Sequence, residues 1–365
     1  MPFMFPTYSP PEFNQSHLTS SPAVRFKKVK IPGVAPENFH ATSIYPEYFQ
    51  VRKGVWLLLK ESRMDCVVVL EKDGSLSVRE FRNIKTGDEV ACGRRENGED
   101  GIFVHNDAFR SPDPGSDKFS FRTYPSRETS FSVDYDELYS LLNYERKNGF
   151  IIWVLGPALT FDRDARESFV RLIEGGYVHS LFAGNALATH DVEGAIFGTA
   201  LGQDIYSKKT AALGHYNHLD ALNRIRAVGS IKKGVNKGII NDGIMRAVIK
   251  KEIPYVLAGS IRDDGPLPEV IGDAYEAQEK MRVLTRRATT VIALATQLHA
   301  IAAGNMVPSY TVAGKNRVRP VFFYIVDMSE FAVSKLANRG SLTARSILTN
   351  AQDFVVIIER GLLKE

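Results

Sequence analysis

The strongest constraint on this fold lies after residue 150, where fully apolar runs alternate with half-polar ones. "FIIWVLGPALTF" (150–161), "VHSLFAG" (178–184), "PYVLAGS" (254–260), "TTVIALAT" (289–296) and "VFFYIVD" (321–327) each read as a strand without a polar face. Such strands are covered on both sides. Between and after them lie amphipathic stretches. "RDARESFVRLIEGG" gathers Phe169, Leu172 and Ile173 on one helical face, and "HLDALNRIRAVGS", "DGIMRAVIKKE", "DAYEAQEKMRVLTRRA" and "SEFAVSKLANRG" are similarly half-polar. The alternation predicts a parallel sheet with helices on both faces, the doubly wound, Rossmann-like α/β class. "VDYDELYSLLNYERKNG" predicts a helix just before it, with Leu138, Leu141 and Leu142 on one face and Gly149 as the stop. The Rossmann-like domain is assigned to residues 133–365.

Upstream the period changes. "VWLLLK", "DCVVVLE", "LSVREF" and "DEVACGRR" are short β-type runs separated by the turn signals "KDGS", "KTGD" and "ENGEDG". They predict a smaller β-rich domain over residues 23–132, ending in a polar loop between Phe109 and Ser132. Residues 1–22, rich in Pro, Ser and Asn, read as a flexible tail. The net charge of +4 is small and the basic residues are scattered, which argues against nucleic acid. No apolar run approaches the roughly 20 residues of a spanning helix, so no membrane segment is expected. With two cysteines and no signal peptide, the chain reads as cytoplasmic.

Doubly wound sheets bind ligands outside the carboxyl ends of their strands. Here those ends run into "GPALT" (156–160), "GNALATHDVEG" (184–194), "GSIRDDGP" (259–266), "TQLHAIAAGNM" (296–306) and Asp327. One such ending is ordinary loop chemistry, whereas five in one sheet describe the rim of a site. No G-x-G-x-x-G, Walker or G-x-S-x-G motif occurs. Gly156 and Pro157 suit a backbone approach to phosphate at a helix start, or simply a strand-to-helix turn. Asp327 suits a nucleotide ribose; its alternative role as a helix cap is one that Ser329 fills equally well. In "THDVEG", His190 with Glu193 suits proton transfer, or Asp191 is a cap and Glu193 a solvated side chain. His215 and His218 have a metal-ligand spacing but no third ligand nearby in sequence, so no metal is expected and contact with a ligand or a simple hydrogen bond is left. In "SIRDDGP", Arg262 suits a carboxylate. Asp263 and Asp264 cannot point the same way, so one is free to pair with Arg262 while the other faces the ligand.

The long stretches "LFAGNALATHDVEGAIFGTALG", "GHYNHLDALNRIRAVGSIKKGV", "GIMRAVIKKEIPYVLAGSIRDDGPLPEVI", "LATQLHAIAAGNMVPSY" and "VDMSEFAVSKLANRGS" resemble the archaeal-type ornithine cyclodeaminase family. This family is related to the lysine-oxoglutarate reductase/saccharopine dehydrogenase conserved region, and it includes the C-terminal part of the cyanobacterial arginine dihydrolase/ornithine cyclodeaminases. The resemblance runs from about Lys85 to the C-terminus; residues 1–84 do not resemble the ferredoxin-like domain usual there. It implies a deoxyhypusine-synthase-like NAD-binding domain, a small amino-acid substrate and a homo-oligomer. The implied reaction removes hydride from the α-carbon of a diamino acid, closes a ring by attack of the side-chain amine, expels ammonia and returns the hydride, giving proline from ornithine. On that reading Gly156, Pro157, Asn185, Ala186, Gly259, Ser260, Asn305, Met306 and Asp327 line NAD. Arg262 anchors the carboxylate, Asp264, His190 and Glu193 handle protons, and Asp263, His215 and His218 contact the substrate. The rivals are an opine-type oxidoreductase or aminoalkyl-transferring synthase on the same scaffold, and a non-catalytic NAD or amino-acid sensor.

Overall fold

Every residue from Ile151 to Leu155 is fully buried, and the strand they form, β1 (Ile151–Leu155), is central to the main sheet. The computed structural model describes residues 3–110, 132–313, 317–329 and 342–363. After β1 come β2 (Ser180–Gly184), β3 (Tyr255–Ala258), β4 (Thr290–Leu294), β5 (Phe322–Asp327) and β6 (Thr343–Leu348). All neighbours pair in parallel in the order β3-β2-β1-β4-β5-β6. This is a Rossmann arrangement, and its strand order reverses between β1 and β4.

The alternation of side chains along β1 explains the two layers of helices. Ile151, Trp153 and Leu155 join a core with Phe169, Leu172, Ile225, Val248 and Phe354. These come from α2 (Arg163–Glu174), α4 (Asn217–Val228), α5 (Ile244–Lys250) and α8 (Ala351–Leu362). The same layer holds α1 (Ser132–Asn148) and α3 (Asn185–Phe197). Ile152 and Val154 point the other way, into a core with Met281 of α6 (Ala274–Thr285) and Ala300 and Ala303 of α7 (Gln297–Met306). Strand β6 and helices α7 and α8 had no separate sequence signal. The helix expected over "SEFAVSKLANRG" and the polar stretch 111–131 lie outside the described residues, save Ser329.

The N-terminal half is β-rich, as expected. Its four-stranded antiparallel sheet has the order Arg25–Lys28, Glu89–Cys92, Val67–Leu70, Leu76–Arg79, and a three-stranded one has the order Val55–Leu58, Glu47–Arg52, Ile102–Val104. Phe49, Val68, Ala91 and Ile102 share the core between them. Ion pairs from Glu80 to Arg282 and from Arg82 to Glu279, 2.7 Å each, join this half to α6.

The expected flexible tail is instead built into the fold. Thr7–Tyr8 pairs antiparallel with Phe109–Arg110, Phe3 packs edge-on against Phe322, and Phe13 stacks on Trp56 at 5.0 Å. The aromatic residues between the prolines outweigh the disorder-promoting composition, because each buries a large apolar surface. Leu18 is 1% exposed. Leu18→Ala should therefore cost about 2–5 kcal/mol of unfolding free energy, measured by denaturant titration. A change within error would show that this segment is no part of the cooperative unit.

Candidate active site

The rim of the site forms where β1 and β4 part. A Cβ on Gly156 would lie 2.0 Å from the Ala295 carbonyl oxygen, so only glycine lets these strand ends approach so closely. Ala295 itself has a left-handed backbone, φ 47°, a strained conformation of the kind found beside ligand sites. Pro157 opens a short 3-10 turn, Pro157–Phe161.

Two helices starting at this rim differ from α2, α6 and α8. Helices α2, α6 and α8 are capped by the side chains of Asp162, Asp273 and Asn350. Helices α3 and α7 follow Gly184 and Thr296 without any side-chain cap. Among the described residues no acceptor meets their first-turn N–H groups, including those of Asn185 and Ala186, and the helix dipole favours an anion there. The Asn185 Oδ1 accepts from the Thr189 hydroxyl and the Leu267 N–H, both at 3.1 Å, tying α3 to the loop after β3.

That loop settles the orientation of the paired aspartates. Gly259 N–H donates to Ile271, Ser260 N–H donates to Asp263 Oδ2 at 2.8 Å, and Arg262 N–H donates to the Ser260 hydroxyl at 3.2 Å. Asp263 is thereby turned inward, where its charge acts on His299, while Arg262 and Asp264 are exposed. The expected pairing of Arg262 with an aspartate does not form: Arg262 makes no ion pair among the described residues, because Asp263 is spent on the turn and Asp264 projects away. His299, inside the run 296–306, carried no assigned role in the sequence. Its Cε1 lies 3.0 Å from where a Gly184 Cβ would sit. Burial holds its pKa below the usual imidazole value, with Asp263 opposing, so His299 is a neutral ring on the rim. At the end of β5, Asp327 Oδ1 accepts the Ser329 N–H at 2.9 Å, a turn contact of the kind a cap would make.

The "THDVEG" segment is a buried stretch of α3, not a solvated loop. Glu193 is fully buried and accepts from His190 Nδ1 at 2.9 Å, the Thr199 hydroxyl at 2.9 Å, Leu201 N–H at 3.0 Å and Gly202 N–H at 2.9 Å. Burial alone would raise its pKa; the donors from His190, Gly202 and Thr199 outweigh that and hold it below the usual carboxylate range. Asp191 does cap a helix, but a distant one: it accepts the Ile244 and Met245 N–H groups that start α5. His190 is 8% exposed, with Phe161 and His218 against its ring. Phe161, Thr199 and Asn217, which complete this cluster, carried no sequence signal.

Three expected residues lie elsewhere. Helix α7 runs back along the sheet, and its ten residues at about 1.5 Å each carry Asn305, exposed, and Met306, buried in the core, away from the rim. His215 is exposed, with its ring against Tyr216. A cavity of about 970 Å³ lies apart from the rim, walled by Tyr8, Phe13, Trp56, Tyr144 and Arg317.

A reversed-order parallel sheet with uncapped helix starts at its rim and a buried acid–base pair further along one of those helices defines a Rossmann-type enzyme domain. The family described as arginine dihydrolase ArgZ-like, C-terminal, Rossmann fold matches residues 138–358. The ornithine cyclodeaminase of Methanocaldococcus jannaschii is 39% identical over 345 residues, covering 91% of this chain and 76% of that protein. A solved LOR/SDH protein from Methanococcus maripaludis S2 superposes with a TM-score of 0.83 at 33% identity, over 93% of this chain and 98% of that one. The ternary complex of AgrE with ornithine and NAD⁺ has a TM-score of 0.59 at 31% identity, over 94% of this chain and 46% of that one; AgrE of Nostoc is a bifunctional arginine dihydrolase/ornithine cyclodeaminase. The chain belongs to the archaeal-type ornithine cyclodeaminase family, a family of NAD-using enzymes. The likeness extends well upstream of Lys85, since an alignment over 91% of the chain leaves only 9% outside it. The β-rich half is thus shared with these relatives, and its apparent departure is corrected.

The depressed Glu193 pKa has a definite sign in stability. The carboxylate contributes fully above the unfolded value of about 4.3, and that contribution is lost as pH falls through the lower folded value. Glu193→Gln should lower stability at pH 7 by about 1–3 kcal/mol and flatten the acid limb of a Tm-versus-pH curve. Parallel curves for wild type and variant would refute the assignment.

Proposed function

We propose that this chain is an NAD-dependent ornithine cyclodeaminase, converting ornithine or a close diamino acid to proline or the corresponding cyclic imino acid with release of ammonia. The observation that carries the reading is the combination of uncapped starts of α3 and α7 at the rim with the buried His190–Glu193 pair further along α3. The named activity of the archaeal relatives and the ornithine and NAD⁺ held by AgrE support it.

The rim suits a dinucleotide. Free N–H groups at Asn185 and Ala186 suit a diphosphate, and Asp327 at the end of β5 suits a ribose. When bound, NAD supplies a hydride acceptor that later returns the same hydride, so the reaction has no net redox change. Everything else falls to the chain. The exposed guanidinium of Arg262 takes the substrate carboxylate, and the neighbouring carboxylates Asp263 and Asp264 complement its positive amines. His190, dry and held by Glu193, moves the proton. Gly259 and Ser260 fix the loop from which Arg262 projects.

With NAD⁺ present, the purified chain should release ammonia from ornithine without net NADH formation, followed by coupled ammonia assay and NADH absorbance. Accumulating NADH would identify an amino-acid dehydrogenase instead, and tight NAD binding without turnover on any diamino acid would identify a sensor. Arg262→Ala should raise KM for ornithine about tenfold or more with kcat little changed. An unaltered KM would remove it from the carboxylate site.

A further inference from the structure

The cavity of about 970 Å³ lies at the opposite end of β5 from the rim. Phe5, one of its walls, has its ring 6.0 Å from that of Phe322, the first residue of β5. Asp327 ends the same strand five residues on, about 16 Å away at roughly 3.3 Å per residue. The cavity is therefore separate from the site described above.

Its walls brace one another. Phe13 stacks on Trp56 with centroids 5.0 Å apart and meets Tyr48 edge-on at 5.1 Å. Phe5 meets Tyr144 edge-on at 4.9 Å, and the Arg319 guanidinium lies over its ring at 4.6 Å. Rings held in this way form a preformed cleft, apolar and of the size that takes a small organic molecule.

The polar groups of the lining are of one kind. Among the described residues it holds Lys60, Arg317 and Arg319 and no Asp or Glu. Arg319 is neutralised by Glu145, whereas Lys60 and Arg317 are exposed and form no ion pair among the described residues. Tyr8 and Tyr48 share a single hydrogen bond between their hydroxyls, and Tyr48 is 7% exposed. One phenol donates, so the hydrogen of the other is left without an acceptor among the described residues. Burial raises the pKa of both phenols, so both hydrogens stay in place. Two free cations, a spare O–H and no carboxylate complement an anion and repel an ammonium. Ornithine, with two ammonium groups, does not match this lining.

We propose that the cavity is a second ligand site, which binds an aromatic carboxylate with its flat ring among the aromatic walls and its charge held by Lys60 and Arg317. The free phenol hydrogen supplies a further donor. Lys60 and Trp56 belong to the β-rich half and Arg317 to the Rossmann domain, so the bound molecule joins the two.

Anilinonaphthalene sulfonate, a flat anion whose fluorescence reports binding, probes this chemistry in the full chain saturated with NAD⁺, so that the rim is filled. It should titrate one saturable site, and phenylnaphthylamine, the same rings without the sulfonate, should bind at least about tenfold more weakly. Indole carboxylate should displace the dye and raise Tm, at lower concentrations than ornithine or decanoate. Lys60→Glu combined with Arg317→Glu should weaken dye binding about tenfold or more while leaving the neutral analogue and the NAD-dependent rise in Tm unchanged. Lys60→Gln and Arg317→Gln, each removing one charge from the surface, should each weaken it about threefold. Dye that binds only without NAD⁺, equal affinity for the neutral analogue, dye binding unchanged in all three variants, or stronger displacement by ornithine or decanoate would each overturn the site.

Discussion

A buried guanidinium holds the site together. Arg166 of α2 is 3% exposed and donates through Nε to Asp191 Oδ1 at 2.7 Å and through Nη2 to the Asp191 carbonyl at 3.1 Å and to Asp242 at 2.8 Å. Asp191 in turn receives the first N–H groups of α5. Three helices therefore share one pair of opposite charges. Such a pair is weak evidence of net stability, but breaking it leaves an uncompensated buried charge, so the helices are fixed in one arrangement. Gly243 shows how tight it is: its φ is 95°, and a Cβ there would lie 2.0 Å from Arg166 Nη2.

The consequence runs along α3. This helix presents Asn185 and its free N–H groups at the rim, Asp191 toward α2 and α5, and His190 with Glu193 toward α4. On the proposed function, anion site and proton-transfer site are thus parts of one helix, and clamping Asp191 sets the distance between them. A loop could carry the same residue types without holding that distance.

The sheet was legible in the sequence and much of the site was not, for related reasons. Strands such as Ile151–Leu155 announce themselves because burial on both faces removes every polar residue. Burial of α3 on nearly all sides does the opposite, removing the polar face by which a helix is read, so "THDVEG" looked like a loop; α7 carries an apolar residue, Leu298, on its exposed side, which hides its helical pattern too, so Asn305 and Met306 were credited to the rim. Side-chain direction was also beyond reach: that Asp263 turns in and Asp264 out depends on one hydrogen bond to Ser260. The N-terminal segment misled through composition, since its prolines suggest disorder while Phe3, Phe13 and Leu18 are packed.

The distribution of charge around the rim fits a substrate that carries both signs. The free helix starts and Arg262 favour anions, and Asp263 and Asp264 favour cations. The helices α3 and α7 also carry imidazoles, His299 neutral through burial and His190 braced by a carboxylate. A reaction that first needs a free amine and then expels ammonia must both remove and return a proton at nearly the same place. A carboxylate with all its acceptor sites filled, as Glu193 is, does neither, but it keeps a neighbouring imidazole in the one tautomer that can do both. Burying a satisfied carboxylate behind His190 assigns the two tasks to different groups.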